Sequence, residues 1–211
     1  MNNLFFGGSS NIAKKISKKL KYTDSISTKK IQNCYKKTFR VKNYQKKTID
    51  NLLKNINVKY DNILIFNGIY SLSLLSFFSK KEFLKSIQIN LVTPLEIASS
   101  IISSKILKKN GSIFFISSVA SNENLIGNAY YSISKNSINF ASKILGNEQE
   151  KRGIRVNAIL LGLINNTMGK KVKKLTNSKK SYIKDKKLIN DFKKILSNKT
   201  LNKKSIKIYN D

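Results

Sequence analysis

Five consecutive residues, Tyr131-Ser132-Ile133-Ser134-Lys135, carry the first chemical signal in this chain. Set four apart on a helix, a phenol and an ammonium share one face, and a cation beside a phenol favours the phenolate and lowers its pKa. A phenol tuned in that way gives and takes a proton near neutral pH, as a general acid/base must. The spacing alone is weak evidence. With 41 Lys and Arg among 211 residues and nine tyrosines, about two such pairs are expected by chance. A second pair does occur, at Tyr182 and Lys186. The neighbourhood separates them. Upstream of Tyr131 the run Ile113-Phe114-Phe115-Ile116 ends in Ser117-Ser118, which sets two hydroxyls at the carboxyl edge of a strand, where parallel α/β sheets bind ligands. Tyr182 has no such neighbour and reads as a solvated face in a Lys-rich stretch.

A second candidate lies at the amino end. Gly7-Gly8-Ser9-Ser10-Asn11-Ile12-Ala13 follows the apolar run Leu4-Phe5-Phe6 directly. A small-residue turn between a strand and a helix lets backbone N–H groups approach a pyrophosphate at the positive end of the helix dipole. A Gly-rich turn that serves geometry alone would look the same.

These residues need a scaffold, and the rest of the chain supplies one. Short apolar runs alternate with longer segments of helical period, the pattern of βα units that build a parallel sheet. Strands are expected at Leu4–Phe6, Ser25–Thr28, Thr38–Val41, Ile63–Phe66, Ser112–Ile116, Arg155–Leu160 and Ser205–Tyr209. Helices are expected at Ile12–Leu20, Tyr44–Ile56, Phe83–Leu107 and Ala129–Glu150. Between the second and third strands the chain is too short for a full helix. The segment 169–187 is rich in Lys, Ser and Asn, which predicts a mobile loop or lid. Together with the loop at 121–128 it would shape the substrate pocket. A single α/β domain spanning 1–211 is the architecture that this alternation implies.

Composition excludes several classes. There is no His and one Cys, Cys34, so neither a disulfide framework nor a Cys/His metal site can form, and no metal is expected. The amino terminus lacks the long apolar region of a signal peptide. Ile63–Phe78 is too short and too interrupted to span a bilayer. These features predict a cytoplasmic protein without a membrane segment. A net charge of +30 would suggest nucleic acid, yet the lysines recur in pairs along the whole chain together with Asn, Ile and Ser. That even spread reads as compositional drift, with weak polyanion affinity and no specific nucleic-acid face.

In order and at these spacings, the motifs resemble those of the short-chain dehydrogenase/reductase family over almost the whole chain. The turn at Gly7–Ala13 resembles its nucleotide fingerprint, and Asn90 in Gln88-Ile89-Asn90-Leu91 resembles its catalytic Asn. Gly111–Ser118 resembles the strand that delivers the catalytic Ser, placed at Ser118. Tyr131 follows Ser118 by thirteen positions, and Lys135 completes the set. Arg152–Ile159 with Gly162 resembles the strand and turn beneath the nicotinamide. The resemblance implies a single doubly wound α/β domain with a mainly parallel sheet of about seven strands, and an oxidoreductase in which Tyr131 exchanges the proton with a carbonyl or alcohol. Lys135 would lower its pKa and hold the ribose, Ser118 would bond the substrate oxygen, and Asn90 would order a relay water. Cofactor contacts are implied at Gly7, Ser9, Ser10, Asn11, Ile12, Asn67, Gly68, Gly162 and Ile164. A homodimer or homotetramer through the helices at 83–107 and 129–150 is implied as well, with Ile97, Ile101, Ile138 and Ile144 on their outer faces. A 3-oxoacyl thioester is the first substrate class, a sugar or polyol the next.

The departures from the pattern are specific. Asn11 and Ala13 stand where the fingerprint has glycines, Ile65-Phe66-Asn67-Gly68 replaces Asn-Asn-Ala-Gly, Arg40-Val41-Lys42 lacks the adenine-binding Asp, and Leu161 replaces a Pro. They predict weaker cofactor binding and keep open the alternative of a non-catalytic nucleotide-binding scaffold. Retention of Asn90, Ser118, Tyr131 and Lys135 together favours the enzyme. The end of the second strand indicates which cofactor. Ser25-Ile26-Ser27 runs into Thr28-Lys29-Lys30 with no carboxylate nearby. A carboxylate there would accept from the ribose 2′-hydroxyl of NAD, whereas a hydroxyl and ammonium groups attract the 2′-phosphate of NADP. NADP(H) is therefore expected over NAD(H), with Thr28 and Lys29 as contacts.

Overall fold

The computed structural model describes residues 1–31, 33–123, 125–175 and 179–210. Seven strands, β1 Asn3–Phe6, β2 Thr23–Ser27, β3 Thr38–Arg40, β4 Tyr60–Ile65, β5 Leu107–Ser118, β6 Arg155–Leu161 and β7 Ser205–Ile208, form one sheet. Their order is β3-β2-β1-β4-β5-β6-β7, and every neighbouring pair is parallel. The helices are α1 Asn11–Ser17, α2 Lys46–Lys54, α3 Lys80–Ile87, α4 Thr93–Ser104, α5 Ala129–Glu148, α6 Thr167–Leu175 and α7 Asp185–Ser197. This is the doubly wound α/β fold that the sequence predicts.

Alternation along each strand explains the two layers of helices. In β1, Leu4 and Phe6 face one core and Phe5 the other; β4 divides Ile63 and Ile65 from Leu64, and β5 divides Ile113 and Phe115 from Phe114 and Ile116. With both faces apolar, a strand must be covered on both sides. Ile49 and Leu53 of α2, Ile97 and Ile101 of α4 and Ile138 of α5 close the first core. Ala13 and Ile16 of α1, with Leu188, Phe192 and Ile195 of α7, close the second. The chain leaves β1 toward β2 and β3, then returns to place β4 on the other side of β1. That reversal opens a crevice at the carboxyl ends of β1 and β4.

Four expectations are corrected. The helix expected at Phe83–Leu107 is two helices, α3 and α4, joined by a π-helical turn at Gln88–Val92. Pro94, the chain's single proline, explains it: Pro94 has no N–H to return to the Asn90 carbonyl. The Thr93 N–H instead bonds five residues back, to the Gln88 carbonyl. The segment 169–187 is helical at both ends, since α6 runs to Leu175 and α7 starts at Asp185. Met168, Val172 and Leu175 recur at helical spacing there; residues 176–178 of that segment, Asn124 of the 121–128 loop and Asp211 lie outside the described residues. Helix α7 itself was not expected, although Leu188, Phe192 and Ile195 carry a helical period. Finally, Ile97, Ile101 and Ile138 are buried against the sheet rather than facing outward. Of that quartet Ile144 alone is exposed, and Ile133 and Phe140 accompany it on α5. No described helix is long and apolar enough to cross a membrane.

Candidate active site

The carboxyl ends of β1, β4, β5 and β6 bring the candidate residues together. At the end of β1, Gly7 adopts φ +73°, a left-handed conformation that costs a side-chain-bearing residue about 1–2 kcal/mol. Its N–H lies 3.1 Å from both the Ile26 carbonyl and the Tyr44 hydroxyl. Ser10 then caps α1, its Oγ accepting from the Ala13 N–H at 3.1 Å. Asn11 opens the helix without a positive φ, so the missing glycine leaves this turn unstrained. Ala13 is fully buried against the sheet.

Helix α5 carries Tyr131 and Lys135 one turn apart. The Lys135 Nζ donates to the Ile116 carbonyl at 2.9 Å and lies over the Tyr131 ring, 5.9 Å from its centroid. Burial pulls the Lys135 ammonium down to about 8. Gly68 is what lets that ammonium approach the β4 loop, because a Cβ at this position would stand 3.1 Å from Nζ and 3.3 Å from the Asn90 Oδ1.

Tyr131 is half-buried at the cavity wall, and its hydroxyl is hydrogen-bonded to that of Ser118. Desolvation pushes the phenol up to about 12, the Ser118 bond acting the other way. The direction is opposite to the one expected from the spacing of phenol and ammonium. Lys135 directs its ammonium to a carbonyl and sits over the ring, so burial dominates. Ser118 is fixed in turn by accepting from the Ala120 N–H at 3.2 Å. The neighbouring Ser117 plays a different part, since its hydroxyl donates to the Lys135 carbonyl at 3.2 Å and ties α5 to β5.

Asn90 lies in the π-helical turn and is fully buried. Its Oδ1 accepts from the Ile69 N–H at 2.8 Å, and its Nδ2 reaches the Ile69 carbonyl at 3.0 Å and the Ser134 Oγ at 3.0 Å. The amide clasps the loop after β4 onto α5. π-Helical turns recur at functional sites because the extra residue re-aims a side chain, and here it aims the amide inward.

A cavity of about 400 Å³ runs through the site. Of the residues singled out in the sequence, Ser9, Ser10, Asn11, Ile12, Gly68, Ser118, Tyr131, Lys135, Gly162 and Ile164 line it. Gly7, Thr28, Lys29, Asn67 and Asn90 are not among its lining residues. Lys29 is exposed, and its backbone N–H donates to the Ser27 Oγ at 3.1 Å. Tyr182 also lies outside the cavity lining, with the Lys173 ammonium 4.9 Å from its ring centroid. The walls are largely apolar, formed by Phe66, Val119, Leu161, Leu163 and Met168, and an ion pair between Glu123 and Lys180 stands at the rim.

Two residues were not anticipated. Tyr70 lines the cavity and meets Tyr131 edge-on, with ring centroids 5.3 Å apart and planes at 73°. Its hydroxyl donates to the Asn128 Oδ1 at 2.8 Å, which pins the β4 loop to the start of α5. An aromatic two residues after Gly68 was the available signal. Tyr130, adjacent to Tyr131, is by contrast buried, and its hydroxyl accepts from the Ser79 N–H at 2.6 Å.

Comparison with known proteins agrees with this geometry. A family model described as short chain dehydrogenase matches residues 6–177. A 3-oxoacyl-(acyl-carrier-protein) reductase of Buchnera aphidicola from Acyrthosiphon pisum is 33% identical over 153 residues, covering 72% of this chain and 54% of that protein. The chain thus spans about half the length of such relatives. A short chain dehydrogenase family protein of Francisella tularensis superposes with a TM-score of 0.84 at 20% identity, covering 98% of this chain and 96% of that one. The ligand-free aldohexose dehydrogenase of Thermoplasma acidophilum gives 0.85 at 14% identity, covering 98% and 92%.

Proposed function

Because the chain belongs to the short-chain dehydrogenase/reductase family, we propose that it is an oxidoreductase interconverting a carbonyl and an alcohol with a nicotinamide dinucleotide. One observation carries this reading: the Tyr131 and Ser118 hydroxyls and the Lys135 ammonium meet at one cavity above the carboxyl ends of the strands. The residues present fit the dinucleotide. The left-handed Gly7 turn runs into a capped helix, and Gly68 leaves open a space that a Cβ would crowd against Lys135.

When bound, the nicotinamide supplies or accepts the hydride. The chain handles the proton. Ser118 bonds the substrate oxygen, and Tyr131 donates its phenolic proton to that oxygen in reduction or removes it in oxidation. Desolvation keeps the Tyr131 phenol protonated, with a value of about 12, so it enters the reduction as proton donor, and the cation at Lys135 favours the phenolate left behind. Asn90 acts as the clasp that holds Gly68, Ile69 and Tyr70 against α5, and ordering of a relay water falls to groups that face the cavity.

NADP(H) is the preferred cofactor on this reading, supported by Thr28-Lys29-Lys30 at the end of β2 and by the absence of a carboxylate there. The apolar walls favour an acyl substrate over a sugar, since a polyol would leave its hydroxyls without partners against Phe66, Leu161 and Leu163. A 3-oxoacyl thioester fits that requirement, and the relatives from Buchnera carry the name of such a reductase. The exposed Ile133, Phe140 and Ile144 of α5 support assembly as a homodimer or homotetramer through this helix.

The test is NADPH oxidation by the purified chain against 3-oxoacyl thioesters, ketones and sugars. Thioester turnover is expected, lost in Tyr131→Phe with NADPH affinity unchanged and kept in Tyr182→Phe. Full activity in Tyr131→Phe would overturn the assignment.

A further inference from the structure

A second opening adjoins the reaction cavity, and the two share lining residues. A cleft of about 500 Å³ lies between α1 and α6, lined by Lys14, Lys15 and Lys18 from the first helix and Lys170 from the second. It shares Asn11, Asn166 and Thr167 with the cavity. Among the described residues no carboxylate lines it. Lys15 is paired with Asp185 at 2.8 Å, whereas Lys14, Lys18 and Lys170 make no ion pair among the described residues.

In a chain of net charge +30, a surface lysine by itself means little. Here three lysines without an ion pair among the described residues line one concave surface from two helices. Like charges lining a cleft focus the field and raise the local concentration of anions far more than the same charges spread over a convex face. The polar Asn11, Asn166 and Thr167 at the junction offer hydrogen bonds to an anion's oxygens without adding negative charge.

We propose that this cleft binds phosphate, and that it holds a phosphate group of a ligand whose reacting end lies in the cavity. Two ligands of the proposed reaction bring that chemistry: the dinucleotide, and a thioester carried on a phosphate-bearing handle. The second source rests on the reductase reading; phosphate binding by the cleft does not.

The test compares a cleft variant, Lys14→Gln/Lys18→Gln/Lys170→Gln, with a control of equal charge change, Lys80→Gln/Lys81→Gln/Lys109→Gln. Calorimetry with inorganic pyrophosphate should show binding to wild type, weakened at least about tenfold in the cleft variant and less than about twofold in the control. Equal weakening in both, or no binding to wild type, overturns the site. Two further arms identify the source. A raised Kd for NADPH assigns the cleft to the dinucleotide. A KM raised at least about tenfold for a coenzyme A thioester, but not for its phosphate-free N-acetylcysteamine counterpart, assigns it to the substrate. If pyrophosphate binding is lost and neither quantity moves, the claim that one ligand spans cleft and cavity is refuted. Absence of turnover with every carbonyl would sink the reductase reading and leave the calorimetry to decide the cleft.

Discussion

Replacing Asn90 by Leu is expected to destabilise the fold and disable the site together, because one amide holds the loop that faces both Lys135 and Tyr131. Leu nearly conserves the volume, so the cost comes from lost hydrogen bonds rather than from a cavity. The Ser86 and Ser134 hydroxyls keep other partners, the Tyr130 and Tyr131 carbonyls. The Ile69 N–H and C=O lose the Asn90 bonds of 2.8 and 3.0 Å and sit beside an apolar side chain instead. At about 1–2 kcal/mol for each partly buried group left unpaired, the loss is about 2–4 kcal/mol. For a chain of this length that lowers Tm by roughly 4–16 °C. Urea unfolding measures the first quantity and a thermal scan the second. Turnover should fall as well, since Gly68 and Tyr70 flank the clasped residue, a Cβ at Gly68 would crowd Lys135, and Tyr70 packs edge-on against Tyr131. A destabilisation under about 0.5 kcal/mol with undiminished activity would refute the clasp.

Lys135 makes stability pH-dependent on the alkaline side. Its folded value of about 8 lies below the ordinary 10.5, so the unfolded chain holds the proton more tightly, and this group's contribution rises with pH between those values and is constant below both. Lys135→Met should flatten that rise, which amounts to about 3 kcal/mol, and equal pH dependence of wild type and variant in urea midpoints would count against the buried ammonium. Phe140→Glu, on the exposed face of α5, should shift a dimer or tetramer toward monomer in light scattering without loss of fold; a wild type already monomeric at micromolar concentration removes the premise. Lys29→Glu/Lys30→Glu should erase a preference for NADPH over NADH, and equal wild-type dissociation constants would show that the end of β2 does not choose the cofactor.

Which parts of the fold were legible follows from where periodicity is strong. Strands such as β4 and β5, buried on both faces, write unbroken apolar runs into the sequence, and α5 writes a long helical pattern. Helix α7 hides its Leu188, Phe192 and Ile195 among lysines and asparagines, so composition masked a period that was present. The break between α3 and α4 was marked by Pro94, a residue whose missing N–H forbids the regular ladder. The orientation of α4 and α5 was harder. Isoleucines lie on both sides of α5, and which stripe faces the sheet depends on where β5 and β6 sit, something that no local window contains.

The site divides along the same line. Ser118, Tyr131 and Lys135 were readable because each is fixed by the element that carries it: a strand end for the serine, one helical turn for the pair. Their electrostatics were not readable, because a pKa depends on what encloses a group. The ammonium expected to lower the phenol is directed to the Ile116 carbonyl, and enclosure by the cavity walls sets the balance instead. Tyr70 and Asn90 act across the gap between the β4 loop and α5, a contact made by chain segments far apart in sequence. The cofactor end shows the converse. Thr28 and Lys29 follow a strand in the expected place, yet the open space at the site runs from Ser9–Ile12 toward α6. On the proposed phosphate reading the lysines of α1 and α6 offer a ligand's phosphates a concave cationic surface beside the cavity, so their charge bears on the chemistry alongside that of Lys29 and Lys30 at the end of β2.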